Sequence, residues 1–191
     1  MGGFLYGQFS AKPWHAHIVK KPSIKLIVGL GNPTEEYQFT RHNAGFLALD
    51  FLFPDAHWKM QKKLKALVAK ANSTVGTFQL LKPMTYMNLS GQAVCPALKY
   101  YGLQPENMLV LHDEIDLPAG EVKLKFSGGH RGHNGLRDII QCAGNNFYRI
   151  RIGVGRPENP QESVADFLLK KFNPDSLPYE KIKEVFEALF L

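Results

Sequence analysis

Cysteine is scarce in this chain of 191 residues, which contains only Cys95 and Cys142. The two lie far apart in the sequence, in neither the short spacing of a zinc site nor that of a redox pair. A disulfide framework of the kind found in small secreted domains is therefore excluded. We expect both cysteines to be buried free thiols and the protein to belong to a reducing compartment.

Long apolar runs are also missing, because lysine, proline, glycine or asparagine interrupts every hydrophobic segment. No segment therefore approaches the length of a membrane-spanning helix. With 45% hydrophobic and 21% charged residues, the composition is that of a globular protein of one domain. The formal net charge of +6 permits an anionic partner such as nucleic acid without requiring one.

Acidic residues are absent from positions 1–23, which carry lysines among glycine, proline and histidine. This stretch has neither the continuous apolar core of a secretory signal nor the arginines of a transit peptide. We expect residues 1–23 to form a flexible N-terminal extension and residues 24–191 to form the folded domain.

From Ile24 onward, short apolar runs alternate with segments of helical periodicity. The predicted strands are residues 24–28, 64–71, 74–82, 108–112, 121–126 and 148–154. The predicted helices are residues 43–53, 88–100, 133–142, 163–171 and 178–191. Asn88 or Ser90 is the expected cap of the second helix. Strands that alternate with helices predict an α/β domain in which helices cover a sheet.

The first predicted strand runs into Gly29-Leu30-Gly31-Asn32-Pro33, a loop with two glycines. A dinucleotide-binding loop needs a third glycine and an immediate helix, but Thr34 occupies the glycine position and Pro33 interrupts the loop. The segment instead predicts a tight turn that presents the Asn32 carboxamide. In isolation, that carboxamide could equally serve the backbone of its own turn.

Further polar clusters follow strand candidates or open helices, where α/β sheets form their ligand crevices. His42 precedes a helix for which Asn43 is a possible cap. The acidic cluster around Asp113 ends an apolar strand, so its carboxylates need solvent or a partner such as an imidazole. The glycine-rich segment 128–135 permits close approach by a ligand and offers the Asn134 amide. Each cluster alone is more often structural than catalytic, whereas their convergence in one crevice would indicate a site.

Together these segments resemble the bacterial-type peptidyl-tRNA hydrolases over nearly the whole predicted domain, from about Ile24 to Phe172. The stretches that carry the resemblance, in chain order, are residues 25–33, 37–50, 82–91, 112–118 and 129–139. The resemblance implies a single α/β domain with a twisted, mixed and largely parallel sheet flanked by helices. It also implies a monomer that acts in the cytoplasm without a cofactor, a metal or a membrane.

The reaction implied by the resemblance is hydrolysis of the ester that joins a peptide to the 3′ end of tRNA, which recycles tRNA from aborted translation. His42 is then the catalytic base, and Asp113 is the carboxylate that orients it. The residues assigned to the bound substrate are Asn32, Tyr37, Met87, Asn88 and Asn134. Among these, Asn32 and Asn88 are expected to hold the peptide end, and Asn134 the water or the substrate carbonyl.

Elementary chemistry agrees with these roles. A histidine of ordinary pKa, about 6.5, is largely neutral at pH 7 and can take a proton from water. Neutral carboxamides can donate hydrogen bonds to a developing oxyanion. No serine or cysteine occurs in a nucleophile-elbow sequence such as G-x-S-x-G. Direct attack by water is therefore favoured, and an acyl-enzyme remains the alternative.

The tRNA half of the substrate requires positive charge near the crevice. The expected phosphate contacts are Lys123, Lys125, Arg131, Arg137 and Arg151. A second basic run, Lys59–Lys65, is either a further contact or a solvated surface. Two features depart from the family: Arg131 stands where relatives often carry a small residue, and relatives usually continue beyond the helix ending at Leu191 with a tail that helps to cover the crevice.

Two other functions compete with hydrolysis by a histidine base. A metallohydrolase would use the ligand types in the acidic cluster and the pair His130-x-x-His133, but that pair lies in a glycine-rich loop instead of on one helix turn. An RNA-binding module without hydrolysis would keep the basic residues, although the presence of both His42 and Asp113 argues against it. Sensitivity to chelators tests the first, and turnover tests the second.

Overall fold

The computed structural model describes residues 22–191, so the predicted extension lies almost entirely outside the described residues. The strands are β1 (Leu26–Gly29), β2 (Lys59–Gln61), β3 (Ala66–Ser73), β4 (Gly76–Pro83), β5 (Met108–Glu114), β6 (Val122–Phe126) and β7 (Tyr148–Gly153). The helices are α1 (Ala44–Leu52), α2 (Gly91–Tyr101), α3 (Asn134–Ala143), α4 (Val164–Leu169) and α5 (Tyr179–Ala188). Within the described part of the chain, every helix is too short or too polar to cross a membrane.

All seven strands form one sheet, in the order β2-β3-β4-β1-β5-β7-β6. Parallel pairing is confined to the four central strands, where β1 pairs with β4 and β5, and β5 pairs with β7. The outer pairings, β2 with β3, β3 with β4 and β6 with β7, are antiparallel. The predicted mixed α/β sheet flanked by helices is confirmed, with its parallel part at the centre.

Helices cover both faces of the sheet, and the side chains of β1 alternate between them. Ile27 belongs to the core that includes α1 and α5, whereas Leu26 and Val28 belong to the core that includes α2 and α3. The alternation follows from the two-residue period of a strand. Every residue of β1 and β5 is buried, as expected of parallel strands covered on both faces.

Two glycines allow α1 to approach the carboxyl ends of β1 and β5 closely. A Cβ atom on Gly45 would clash with the carbonyl oxygen of Leu111, and a Cβ atom on Gly29 would clash with the carbonyl oxygen of Gly45. Only glycine fits at either position without a shift of backbone. The close approach brings His42, two residues before α1, beside Asp113 near the end of β5.

Cys95 in α2 and Cys142 in α3 form a disulfide, with their Cα atoms 6.4 Å apart. The prediction of buried free thiols is therefore wrong. The two helices pack together at this point, where the Asp138 carboxylate accepts a hydrogen bond from the backbone N–H of Gly91 at 2.6 Å. Separation along the sequence carried no information about this contact, because it depends on how α2 and α3 pack on the sheet.

Reduction of this disulfide is expected to lower the free energy of unfolding by about 2–4 kcal/mol, because the cross-link restricts the unfolded chain. Denaturant unfolding with and without a thiol reductant measures the change. The double variant Cys95→Ser, Cys142→Ser serves as the control and should match the reduced chain in both conditions. An unfolding midpoint of the native chain that does not respond to reductant would contradict the prediction.

Candidate active site

A crevice of about 490 Å³ opens at the carboxyl ends of β1 and β5. Its polar lining consists of Asn32, His42, Asn88, Asp113, Glu114, Arg131, His133 and Asn134. Its apolar lining consists of Tyr86, Met87, Ile115, Val164, Ala165, Leu168 and Leu169, the last four from α4. The structure thus brings together the histidine, the aspartate and the three asparagines predicted from the sequence.

His42 and Asp113 form the floor of the crevice. His42 Nδ1 lies 2.9 Å from Asp113 Oδ1, and the two residues are only 8% and 2% exposed. Because a carboxylate can only accept, Nδ1 carries the proton in this bond. The other ring nitrogen of a neutral His42, Nε2, is then an acceptor, and it has no partner among the described residues.

Opposing effects set the pKa values of this pair. Burial lowers the pKa of His42, but the charge and hydrogen bond of Asp113 raise it, and the result lies above the usual 6.5. For Asp113, burial raises the pKa, but the two adjacent imidazoles, His42 and His133, hold it well below the usual range. Asp113 is therefore ionised at neutral pH, and His42 loses its proton at a pH above 6.5.

His133 has a role in the site that the sequence analysis did not predict, since there it was only a candidate metal ligand. Its Nε2 lies 3.0 Å from the same Asp113 oxygen that His42 contacts. Its Nδ1 accepts the backbone N–H of Leu136 at 3.3 Å, as the N-cap of α3. Because Nδ1 accepts, Nε2 carries the proton and donates to Asp113, so one carboxylate oxygen holds two imidazoles. The sequence offered one signal for His133, its position at the start of a helical pattern, and that position indicates only a helix cap.

Asn32 is held by a reciprocal pair of hydrogen bonds with Asn43. The backbone N–H of Asn32 donates to Asn43 Oδ1 at 2.8 Å, and Asn43 Nδ2 donates to the carbonyl of Asn32 at 3.0 Å. Asn43 makes no capping bond with α1, so its expected role as a cap is wrong. Asn32 Oδ1 accepts the backbone N–H of Met87 at 2.7 Å, which leaves Nδ2 as the donor available to a ligand.

The wall opposite the floor comes from the segment between β4 and α2. Met87 lines the crevice from a short 3-10 turn, while Tyr37 lies outside the lining and packs edge-on against Tyr86, with ring centroids 6.4 Å apart. Tyr37 thus supports the wall instead of lining it.

The expected caps of α2 are not formed, because the Ser90 hydroxyl donates to the Met87 carbonyl at 2.7 Å and makes no capping bond.

Three of the five predicted phosphate contacts already have acidic partners. These ion pairs are Arg131–Asp116, Arg151–Glu114 and Lys123–Glu121. Arg137 is exposed and, within residues 22–191, makes no ion pair. Lys125 lies in a positive environment, since burial and the charges of Arg151, Arg149 and Arg131 lower its pKa. The positive charge around Lys125 exceeds what the nearby carboxylate of Glu114 can balance.

Arg149 anchors the glycine-rich loop beneath the crevice. It is only 2% exposed, and its guanidinium donates to the carbonyls of Gly128 at 2.6 Å and Gly129 at 2.8 Å. The same guanidinium packs over the ring of Phe147, with 4.5 Å between its carbon and the ring centroid. Arg149 therefore fixes the start of the loop that presents His133 and Asn134.

The geometry bears on the metal-dependent alternative in two ways. His130 Nδ1 accepts the backbone N–H of Gly132 at 3.1 Å, so this nitrogen of the proposed His130-x-x-His133 pair is already occupied. His42, Asp113 and His133 do converge, with their potential ligand atoms within 4.8 Å of one another. However, Nδ1 of His42 and Nε2 of His133 both carry protons in bonds to Asp113, whereas a metal ligand must present a lone pair.

His112 lies beneath this cluster and is only 1% exposed. Its Nδ1 donates to the backbone carbonyl of Asp113 at 2.7 Å, and its ring packs edge-on against His133 at 5.0 Å between centroids. Burial, with the charge of His133, lowers the pKa of His112 to about 3. His112 is therefore neutral in the folded protein at ordinary pH, with an unprotonated Nε2 that has no partner among the described residues.

Because of His112, we expect the free energy of unfolding to decrease in acid. The unfolded chain takes up a proton at His112 below about pH 6.5, whereas the folded chain does so only near pH 3. The free energy of unfolding is therefore unaffected by His112 above pH 6.5. As the pH is lowered from 6.5 towards 3, it decreases by about 3–5 kcal/mol in total. His112→Asn keeps a donor for the Asp113 carbonyl and does not titrate, so its unfolding free energy should fall less steeply between pH 6.5 and 4. Parallel curves for the two chains would contradict the prediction.

Known proteins resemble this chain in sequence and in structure. A family model described as peptidyl-tRNA hydrolase matches residues 26–190. The peptidyl-tRNA hydrolase of Dichelobacter nodosus is 48% identical over 164 residues, covering 84% of this chain and 85% of that protein. The one from Bordetella avium is 51% identical over 158 residues, covering 80% and 76%. The crystal structure of the Acinetobacter baumannii peptidyl-tRNA hydrolase superposes with a TM-score of 0.77 at 42% identity, covering 89% of this chain and 87% of that one.

Proposed function

Because the chain belongs to the peptidyl-tRNA hydrolase family, it hydrolyses the ester bond between a peptide and tRNA, and we propose that His42 is the base that activates the attacking water. The 2.9 Å hydrogen bond between His42 Nδ1 and Asp113 carries this proposal. It leaves Nε2 unprotonated at the floor of the crevice, where a water molecule can bind between the imidazole and the ester carbonyl.

The reaction follows from this arrangement. The water oxygen attacks the ester carbonyl as Nε2 takes a proton, and Asp113 stabilises the imidazolium that forms. The tetrahedral intermediate then loses its bond to the ribose oxygen, and the imidazolium returns the proton to that oxygen. The products are free tRNA and the peptide's carboxylic acid, which releases its proton to solvent, and His42 is neutral again.

The three asparagines of the crevice supply polar contacts without added charge. We assign Asn32 and Asn88 to the peptide end of the substrate, beside the ester, and Asn134 to the water or the substrate carbonyl. The Oδ1 atom of Asn32 accepts the backbone N–H of Met87, which fixes the orientation of the Asn32 carboxamide. Asn32 Nδ2 can therefore donate to a developing oxyanion. Contacts with backbone groups would allow peptides of many sequences to bind.

Direct attack by water is favoured over an acyl-enzyme by the composition of the crevice. Among the described residues that line it, none is serine, threonine or cysteine. The additional carboxylate, Glu114, is held by Arg151 at 3.0 Å. The lining therefore offers His42 no aliphatic hydroxyl or thiol to activate, and its one hydroxyl is the phenol of Tyr86, so water is the favoured nucleophile.

Positive charge beside the crevice supports binding of the tRNA phosphates. We propose phosphate contacts for Lys125 and Arg137, with Lys123, Arg131 and Arg151 as weaker candidates because each already has an acidic partner. Such contacts fix position and affinity and do not read sequence, as an enzyme acting on many tRNAs requires. Binding is expected to weaken as salt rises.

We also propose that the enzyme is a monomer that acts in the cytoplasm, where translation produces its substrate. The large exposed apolar side chains come from several elements, for example Met60 in β2, Tyr100 in α2 and Phe126 in β6, while Tyr86 and Leu169 line the crevice. The Cys95–Cys142 disulfide is the feature that argues against a reducing compartment. Light scattering and fractionation of the producing cells test the two statements.

Release of a labelled N-acetyl-amino acid from N-acetyl-aminoacyl-tRNA, with EDTA present, tests the proposed function. We expect multiple turnover that EDTA does not reduce. Loss of activity with EDTA and recovery with a divalent metal would favour the metallohydrolase. Binding of tRNA without release would favour a binding module.

A further inference from the structure

Residues 62–65, here called the lysine turn, connect β2 to β3 and present three exposed lysines, Lys62, Lys63 and Lys65. The fourth residue, Leu64, is 3% exposed and packs in the core that includes α2. Lys65 has a φ of 49°, and its N–H donates to the Lys62 carbonyl at 3.1 Å. The buried leucine and the closed backbone hold the turn in place with its lysines on the surface.

The charge of the lysine turn is not balanced by carboxylates. Within residues 22–191, none of its lysines makes an ion pair, whereas Lys82, Lys123 and Lys170 each do. Lys65 Nζ donates to the neutral Gln92 side chain at 2.8 Å. Residues 1–21 contain neither aspartate nor glutamate, so they have no carboxylate side chain to offer. Unbalanced positive charge of this kind attracts a polyanion.

The lysine turn lies at the same edge of the sheet as the crevice. The Lys65 carbonyl accepts the backbone N–H of Met84 at 2.8 Å, and Ala66 pairs with Pro83 at the end of β4. From Met84 the chain runs directly to Met87 in the crevice wall. Two strands, β4 and β1, separate β3 from β5, which carries Asp113 of the crevice floor. Because strands lie about 4.8 Å apart, these three spacings put the turn roughly 15 Å from the floor.

We propose that the lysine turn binds phosphates of the tRNA strand whose esterified 3′ end lies in the crevice. This inference rests on the proposed function and adds a contact to it. At that distance the turn would meet phosphates a few nucleotides before the ester. Lys125 and Arg131 lie on the β5–β7–β6 side, so the end of the tRNA is held from both sides.

The test compares two substrates that differ in phosphates. The triple variant Lys62→Gln, Lys63→Gln, Lys65→Gln should lose about 10-fold in kcat/KM on N-acetyl-aminoacyl-tRNA near physiological salt. The slope of log kcat/KM against log salt should become shallower by about 2. On the N-acetyl-aminoacyl ester of adenosine, which has no internucleotide phosphate, the variant should equal the native chain.

Two matched variants separate charge from damage to the fold. Replacing the same lysines with arginine keeps the charge and should restore native kcat/KM on tRNA. The triple variant Lys70→Gln, Lys99→Gln, Lys183→Gln removes equal charge from exposed positions elsewhere and should keep native activity. Equal losses in the two glutamine variants, or an equal loss on the adenosine ester, would overturn the inference. Because the native chain is assayed on both substrates, failure of the proposed function is seen independently.

Discussion

His42→Ala is expected to lower kcat on N-acetyl-aminoacyl-tRNA by about 10²–10⁴-fold, the usual contribution of a positioned general base. The imidazole is the group in the crevice whose free ring nitrogen can take a proton from water at neutral pH. Its loss leaves the asparagine amides and the tRNA contacts in place, so KM should change little. Single-turnover release of labelled N-acetyl-amino acid measures the chemical step directly.

The matched control for this variant is His57→Ala, which removes an exposed imidazole outside the crevice. That control should keep native kcat. Equal activity of His42→Ala and the native chain would exclude His42 as the base and reopen the acyl-enzyme route. A loss of activity together with a lower unfolding midpoint would instead indicate damage to the fold.

Asp113→Asn is expected to lower kcat by about 10²–10⁴-fold and to move the pH profile. The variant keeps the size of the side chain and removes the negative charge that raises the pKa of His42. Burial of the imidazole then acts unopposed, so the pKa of His42 should fall below its usual value. The acid limb of the kcat/KM profile should therefore shift to lower pH as the maximum rate drops.

Asp116→Asn provides the comparison, because Asp116 is bound by two surface arginines, Arg131 and Arg156. This variant removes the same charge three residues further along and should leave the acid limb unchanged. An unchanged acid limb in Asp113→Asn would contradict the assignment of Asp113 as the partner that sets the His42 pKa.

Elements with strong hydrophobic patterns were predictable from the sequence, and elements without them were not. The buried strands β1 and β5 have uninterrupted apolar runs, and both were predicted close to their observed bounds. Strand β2 has only three residues, all at least partly exposed, so burial leaves no pattern in its sequence. The disulfide was missed for a different reason, since it reports the packing of α2 on α3 and no local signal encodes that packing.

The same distinction applies to the site. Recognisable motifs pointed to His42, Asp113 and the three crevice asparagines, and the fold brings them together. The roles of Asn43 and His133 were not predictable, because each depends on which side chain its polar atoms meet in three dimensions. Asn43 was predicted only as a possible helix cap, and His133 only as a candidate metal ligand. Only the tertiary structure shows that Asn43 holds Asn32 and that His133 shares Asp113 with His42.

The pH dependence of kcat/KM for the native chain, measured with EDTA on N-acetyl-aminoacyl-tRNA, tests most directly whether His42 is the catalytic base. The base must be neutral, so activity should rise with pH through a single ionisation. Because Asp113 raises the pKa of His42, that ionisation should lie above pH 6.5 and be absent in His42→Ala. An acid limb below pH 6.5, or one that persists in His42→Ala, would contradict catalysis by His42.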